Sequence, residues 1–275
     1  MTTMKRRMAL IFGAGLVTLV SCPQPSPPSS GSDFTSISGQ VMDASLDESL
    51  KLTTGAWTGG AGSVYGTDDA GQKTKLGDLN ANGSFTASLP VPSAAALKKV
   101  TVPETSSGCT GKITVSNPNA QISGLDVSVD ANQDGTIAPI TLTTDDQVNK
   151  TTGTGTATIT WATGALVYAD QAVNTSGNLA CTADKTFTVS LNTNINYVKG
   201  WNKATLIMKS TVEYDSFEMV AQSTAVTMTS GTLPTNNWVL TSAVGIDLAG
   251  GMSQQSFSGK TLKNFAESFL HSNRN

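Results

Sequence analysis

His271 is the sole histidine of the 275-residue chain, and it lies within the last five residues. A Ser-His-Asp or Cys-His relay would therefore rest on the chain's end. Zinc centres gather Cys and His at short spacings, whereas Cys22, Cys109 and Cys181 stand far apart. Gly259-Lys260-Thr261 has the closing residues of a phosphate-cradling loop, but position 254, where the first glycine belongs, is Gln254. Oxygen ligands are better spaced. Asp130-x-Asn132-x-Asp134-Gly135 sets side-chain oxygens at alternating positions ahead of a glycine, as the first half of a calcium loop does. Position twelve is Thr141 in place of a bidentate Glu, and no flanking helices are evident. Asp78-x-Asn80-x-Asn82-Gly83 repeats the spacing with Leu89 at position twelve. The two copies read as hairpin turns, whose Asp-Gly and Asn-Gly pairs supply positive φ. Weak calcium binding at Asp130, Asn132 and Asp134 is the alternative, and no other cofactor is expected.

Trp57, Trp161, Trp201 and Trp238 could stack on sugar rings. Trp161 and Trp238 sit in apolar strand patterns and read as core. Trp57 lies in the glycine-rich run 55–66 and is the candidate for an exposed ligand-binding residue, with packing over the loop as its alternative. Two carboxyl groups in a cleft could hydrolyse a glycan without histidine. The acidic pairs Asp68-Asp69 and Asp145-Asp146, however, read as solvated loop charges. No enzymatic activity is expected.

Lys5, Arg6 and Arg7 precede an apolar run over 8–20 that is too short to span a bilayer. Residues 1–21 read as a secretory signal peptide. Leu19-Val20-Ser21-Cys22 resembles the bacterial lipobox. The resemblance implies that the Cys22 thiol takes up diacylglycerol, that the leader is cut before Cys22, and that the new amine is acylated. Two or three acyl chains hold a protein stably on a membrane, so the expected partner is the membrane, through the N-terminal lipid. Position 23 is Pro23 and not Asp, which points to the outer membrane where a cell has two. The segment 22–35 is then the lipidated cysteine and a Pro/Ser spacer. With Cys22 consumed, Cys109 and Cys181 are an even pair in an oxidising compartment. They form a disulfide or, unpaired, two small buried hydrophobes.

Charged residues are 13% of the chain and the formal net charge is −3, three units more negative once the leader cations leave. An acidic mature chain argues against nucleic acid as a partner. Thr, Val and Ser in alternation favour strands over helices. Phe85, Ala87 and Leu89 alternate with Ser84, Thr86 and Ser88 after the Asn82-Gly83 turn, and Leu125, Val127 and Val129 share a face. Ile137 and Ile140 cannot share a face without an irregularity at Pro139. Further strands are expected over 37–41, 112–116, 154–161, 165–169, 186–191, 203–212, 217–229 and 238–240. Ser93 to Lys99 reads as a short helix capped by Ser93. The expected fold is all-β: a first β-sandwich-like unit over 36–146, a second over 147–245, and a tail over 246–275. In that tail Leu262, Phe265, Ala266 and Phe269 line one face of a short helix.

Ser38-Gly39-Gln40-Val41 and the Asn82-Gly83-Ser84-Phe85 hairpin resemble the transthyretin-like, carboxypeptidase-regulatory-like sandwich. Leu166-Val167-Tyr168-Ala169-Asp170 and Gly200-Trp201-Asn202 are similar to two-part bacterial envelope lipoproteins. These resemblances imply β-sandwich units on a lipid-anchored envelope protein and bring no catalytic residues. The function expected is a non-enzymatic structural or interaction role at the envelope, towards a protein or a glycan. A carbohydrate- or peptidoglycan-binding module is the alternative.

Overall fold

A computed structural model describes residues 34–47, 50–102, 108–182 and 186–244. Among the described residues, alternating apolar and Thr/Ser/Asn positions settle into sixteen strands, because branched side chains fit a pleated, half-buried surface. The N-terminal half supplies β1 (Ser36–Leu46), β2 (Leu52–Ala56), β3 (Gly62–Asp68), β4 (Lys73–Leu79), β5 (Ser84–Ser88), β6 (Lys98–Lys99), β7 (Cys109–Val115) and β8 (Gln121–Asp130). Then follow β9 (Gly135–Ala138), β10 (Ile140–Asp146), β11 (Gly155–Ala169), β12 (Val173–Thr182), β13 (Phe187–Tyr197), β14 (Gly200–Asp215), β15 (Glu218–Ser230) and β16 (Asn237–Leu240). The all-β class expected from composition is what forms.

Seven strands close a ring in the order β3, β4, β5, β1, β16, β9, β8 and back to β3. Closure leaves a ring without sheet edges. The pairing of β16 with β1 is its one parallel contact, with Val41 opposite Trp238. A second sheet runs β10, β11, β14, β15, β13, β12, β7. Strand β11 belongs to both, pairing with β10 through 157–163 and with β8 through 166–169.

Pro139 sends the chain from one to the other. Proline has no N–H to give a ladder, and the strand breaks there. Ile137 on β9 enters the first core and Ile140 on β10 enters the second. The two isoleucines thus do not share a face: they enter different cores, as period-two alternation already places residues three apart, and the break is the work of Pro139.

A wall of strands separates the two cores, and its side chains alternate between them. Val41 faces the first core and Met42 the second. Trp238 and Leu240 face the first, and Val239 between them the second. Unbroken apolar runs such as Trp238-Val239-Leu240 result, as they do wherever both faces of a sheet are covered. A third cluster, with Val167, Ala169 and Tyr197, fills the space where β8, β11 and β13 converge.

The division expected between 146 and 147 falls in the connection of the β10–β11 hairpin. Other expectations are corrected by this arrangement. Strand β16, counted with the second unit, completes the ring of the first. Residues 154–161 and 165–169 form one strand and not two. No helix forms over Ser93–Lys99. The run is too short to repay nucleation; Ala96 N donates to Ser93 O in a turn, and Lys98 and Lys99 pair with β8. The C-terminal helix expectation lies outside the described residues.

Trp238 seats the ring's last strand. Its indole lies over Gly39, where a Cβ would stand 2.5 Å from Nε1, and it meets Phe85 edge-on at 5.6 Å. Trp238→Ala is expected to cost about 3–5 kcal/mol, the range for deleting a buried aromatic side chain. Urea unfolding followed by the fluorescence of the remaining tryptophans measures it. A loss below 1 kcal/mol would show that β16 is not needed to hold the ring closed.

Candidate functional site

The described residues place two carboxylates on one recess. Asp69 lies in the β3–β4 turn, and its Oδ2 accepts from Gly124 N at 2.9 Å. Asp126 projects from β8, opposite Thr67. Both line a cavity of about 50 Å³ walled by Leu125, Ile137, Leu166 and Trp238, where β8 passes from pairing with β11 to pairing with β9. Asp126 is exposed as a residue, yet its carboxyl is crowded on the protein side. Loss of solvation, and then the charge of Asp69, raise its pKa above the usual 3.8. Neighbouring Asp68 goes the other way. Burial opposes its ionisation but is outweighed by N–H donors from Gln72 and Ala70 and by Ser93. Asp68-Asp69 is thus not the solvated loop pair expected: one carboxylate caps its turn and the other ties that turn to β8.

Paired carboxyls suit glycoside hydrolysis only where a sugar can sit between them. Small-molecule sites enclose roughly 300–1,000 Å³. The recess, at about 50 Å³, is well below that range and has room for a few waters.

The calcium-like spacings lie in turns. In the β4–β5 hairpin Gly83 has φ +86°, Asn82 Oδ1 accepts from Ser84 N at 3.0 Å and Ser84 Oγ at 2.8 Å, and Gln40 Nε2 donates to Asn82 O. Asp130 belongs to β8, opposite Ser63. Asn132 N donates to Gly59 O at 2.9 Å, and the Asp134-Gly135 step leads into β9 with Gly135 at φ +140°. Among the described residues no three His, Cys, Asp or Glu side chains gather as metal ligands.

The exposed role expected for Trp57 is corrected. Trp57 is 5% exposed in the first core, and its Nε1 donates to Gly60 O at 2.8 Å. A Cβ on Gly59 would come within 2.1 Å of its ring. The glycines that read as an open loop are the seat of the indole. Trp161, Trp201 and Trp238 are buried too, Trp201 donating to Pro90 O at 2.9 Å.

Cys109 and Cys181 form a disulfide between directly opposed residues of β7 and β12. It joins neighbouring strands of the second sheet, because β7 crosses from the N-terminal half to pair there. Cys22, Gly259-Lys260-Thr261 and His271 lie outside the described residues.

Sequence reasoning passed over the β14–β15 tip. Asp215 pairs with Glu218, so Ser216 and Phe217 form a two-residue turn, with φ +52° and +66°. Such turns are ordinarily Asn-Gly or Asp-Gly, and a side chain in the left-handed region costs about 1–2 kcal/mol. Phe217 is nonetheless there, 62% exposed, followed by exposed Met219 and Val220. Its N donates to Gly153 O at 3.1 Å, and a Cβ on Gly153 would stand 2.4 Å from the ring's Cγ. The β10–β11 loop therefore braces the phenylalanine in its outward position. The missing Gly or Asn hid this turn from the sequence reading.

Comparison with protein-family models, curated proteins and solved structures finds no match to this chain.

Two outcomes follow from this geometry. A raised carboxyl pKa means that the folded state holds its proton more tightly than the unfolded chain does, so ionised Asp126 costs stability. Asp126→Asn should raise the melting temperature above that raised pKa, and the gain should fade as pH drops through it towards and below 3.8. Thermal melts across that range decide it; a gain independent of pH would contradict the assignment. Replacing Cys109 and Cys181 by Ala opens a link with a sequence separation of 72. By the loop-entropy relation it should cost about 4 kcal/mol, read as a lowered urea midpoint. An unchanged midpoint would mean that the bond constrains nothing in the unfolded chain.

Proposed function

We propose that this chain is an extracytoplasmic protein held to the cell envelope by lipid on Cys22, where it acts by presenting surface and not by catalysis. The observation that carries this reading is the placement of its chemically capable side chains. Asp68, Asp69 and Asn82 are hydrogen-bonded into turns, the four tryptophans are packed inside, and the paired carboxylates share a recess too small for a sugar. Among the described residues, what the body turns outward are mainly polar strand faces, with the Phe217 tip and the separate Val91 and Val102 as exposed apolar positions. The Cys109–Cys181 disulfide supports export, since such bonds persist in oxidising compartments. The lipobox-like Leu19-Val20-Ser21-Cys22 and the Pro/Ser spacer behind it support the anchor. In a two-membrane cell the reading places it at the outer membrane. Glycan recognition would draw on exposed aromatic faces, and the indoles are in the core.

Cys22→Ala tests the anchor. Mass spectrometry of the wild-type chain should find a diacylglyceryl-modified, acylated Cys22 as the first residue, and the variant should keep its leader. An unmodified Cys22 or a cut elsewhere would overturn the anchor. Envelope-glycan turnover that is lost with Asp69→Asn or Asp126→Asn would overturn the non-catalytic reading.

A further inference from the structure

The β14–β15 tip combines three features that folding alone does not explain. A phenylalanine occupies a left-handed position where glycine would be unstrained. It is exposed together with Met219 and Val220, although burial is where such side chains stabilise a protein. It is also held fast, by the Phe217 N–H to Gly153 O and by the close approach of Gly153 to its ring. A strained, braced and exposed aromatic is the form of a binding anchor: large contact area, with little conformational freedom left to lose on association.

The charges around it define what it meets. Asp215 and Glu218 flank the turn, and Glu213 lies just behind on β14. Farther off, Asp145 and Asp146 end β10, which β11 separates from β14, and there Lys150 is paired to Asp146 at 2.5 Å. This acidic rim repels the anionic surface of a bilayer and suits a cationic one.

We propose that the Phe217 tip is a docking finger for a partner protein that offers an apolar pocket rimmed by lysine and arginine. This rests on the surface-presenting role above and names the surface. Phe217 fills the pocket, Met219 and Val220 extend the apolar contact, and Asp215 and Glu218 meet the basic rim. Charge complementarity then sets the encounter rate and orientation, while the buried aromatic sets the lifetime of the complex.

The test uses the full-length chain in the cell that makes it, with a photo-crosslinking phenylalanine analogue at Met219. A second chain carries the analogue at Val91, an exposed apolar position outside the tip. Irradiation of the Met219 chain should give an adduct to another protein, and sequencing of the joined peptide should place it among apolar residues flanked by Lys or Arg. Phe217→Gly should lower the adduct yield tenfold or more, and so should the paired Asp215→Lys and Glu218→Lys. Glycine adopts positive φ freely, so Phe217→Gly should melt no lower than the parent, and loss of adduct there is not loss of fold. No adduct at Met219, an adduct to lipid, to a second copy of the chain or to an acidic surface, or a yield unchanged by Phe217→Gly would each overturn the proposal. An adduct from Val91 alone overturns the finger and leaves the surface-presenting role standing. If neither position captures a protein, the finger and an interaction role both fall.

Discussion

The wall between the two cores is the constraint on which the architecture depends. Strands β1, β16 and β9 each send neighbouring side chains to opposite sides, and both sides are closed off from water. Burying one Val, Leu or Ile is worth roughly 1.5–3 kcal/mol, so every apolar residue in this wall contributes, instead of every second one. The cost is that neither face can stand alone. Cutting the chain between 146 and 147 would leave Met42 and Ala138 without the second core and the ring without β16. The ring and the second sheet share this wall.

Chain order adds a kinetic consequence. Among the described residues, strand β16 is the last to be made, and it fills the gap between β1, the first of them, and β9. During synthesis the ring can therefore close only after the strands of the second sheet have been made. Non-local strand pairing carries a large loop-closure cost before it is rewarded. The seat of Trp238 on Gly39 and against Phe85 offers a specific late reward, and a side chain at position 39 would remove it. Pro139 helps from the other direction. By ending β9 it lets the chain leave the ring and pair along β11 as β10.

Sequence legibility followed how local each determinant is. The Asn82-Gly83 turn, the alternation through 84–89 and the break at Pro139 depend on a few adjacent residues, and each was readable. The even cysteine count forecast the bond but not its setting, because nothing in the thiols says that β7 leaves the first half to join β12. Strand β12 was missed: Asn174, Ser176 and Asn178 make its outward face so polar that it resembles a loop. Trp57 was misplaced because glycines are read as mobility, whereas here Gly59 and Gly83 are the absent side chains that make room for the indole. The carboxylate recess could not be read at all. Asp69 and Asp126 are brought to one place by the β3–β8 pairing and by the passage of β8 from β11 to β9, which are tertiary facts.

The second sheet, unlike the ring, has ends, and its two ends are treated differently. Beside β10, Leu142 and Leu52 pack on the second core, so that end is sheltered by the β1–β2 hairpin. At the other end β7 pairs only with β12 among the described residues, and Thr110, Gly111, Lys112 and Thr114 are exposed. An open edge invites pairing with another chain, and an exposed lysine there discourages it. The strand still has a single ladder to hold it. Gly111 and Gly177 let that ladder close tightly: a Cβ on either would stand about 2 Å from a carbonyl oxygen across the pair. The disulfide at Cys109 supplies covalently what a second neighbouring strand would have given. A link closing so long a loop contributes a sizeable part of the roughly 5–15 kcal/mol that hold a domain folded. Thiols kept reduced would leave β7 as a weakly held edge, so the hold on this strand and the proposed export of the chain depend on the same oxidation step.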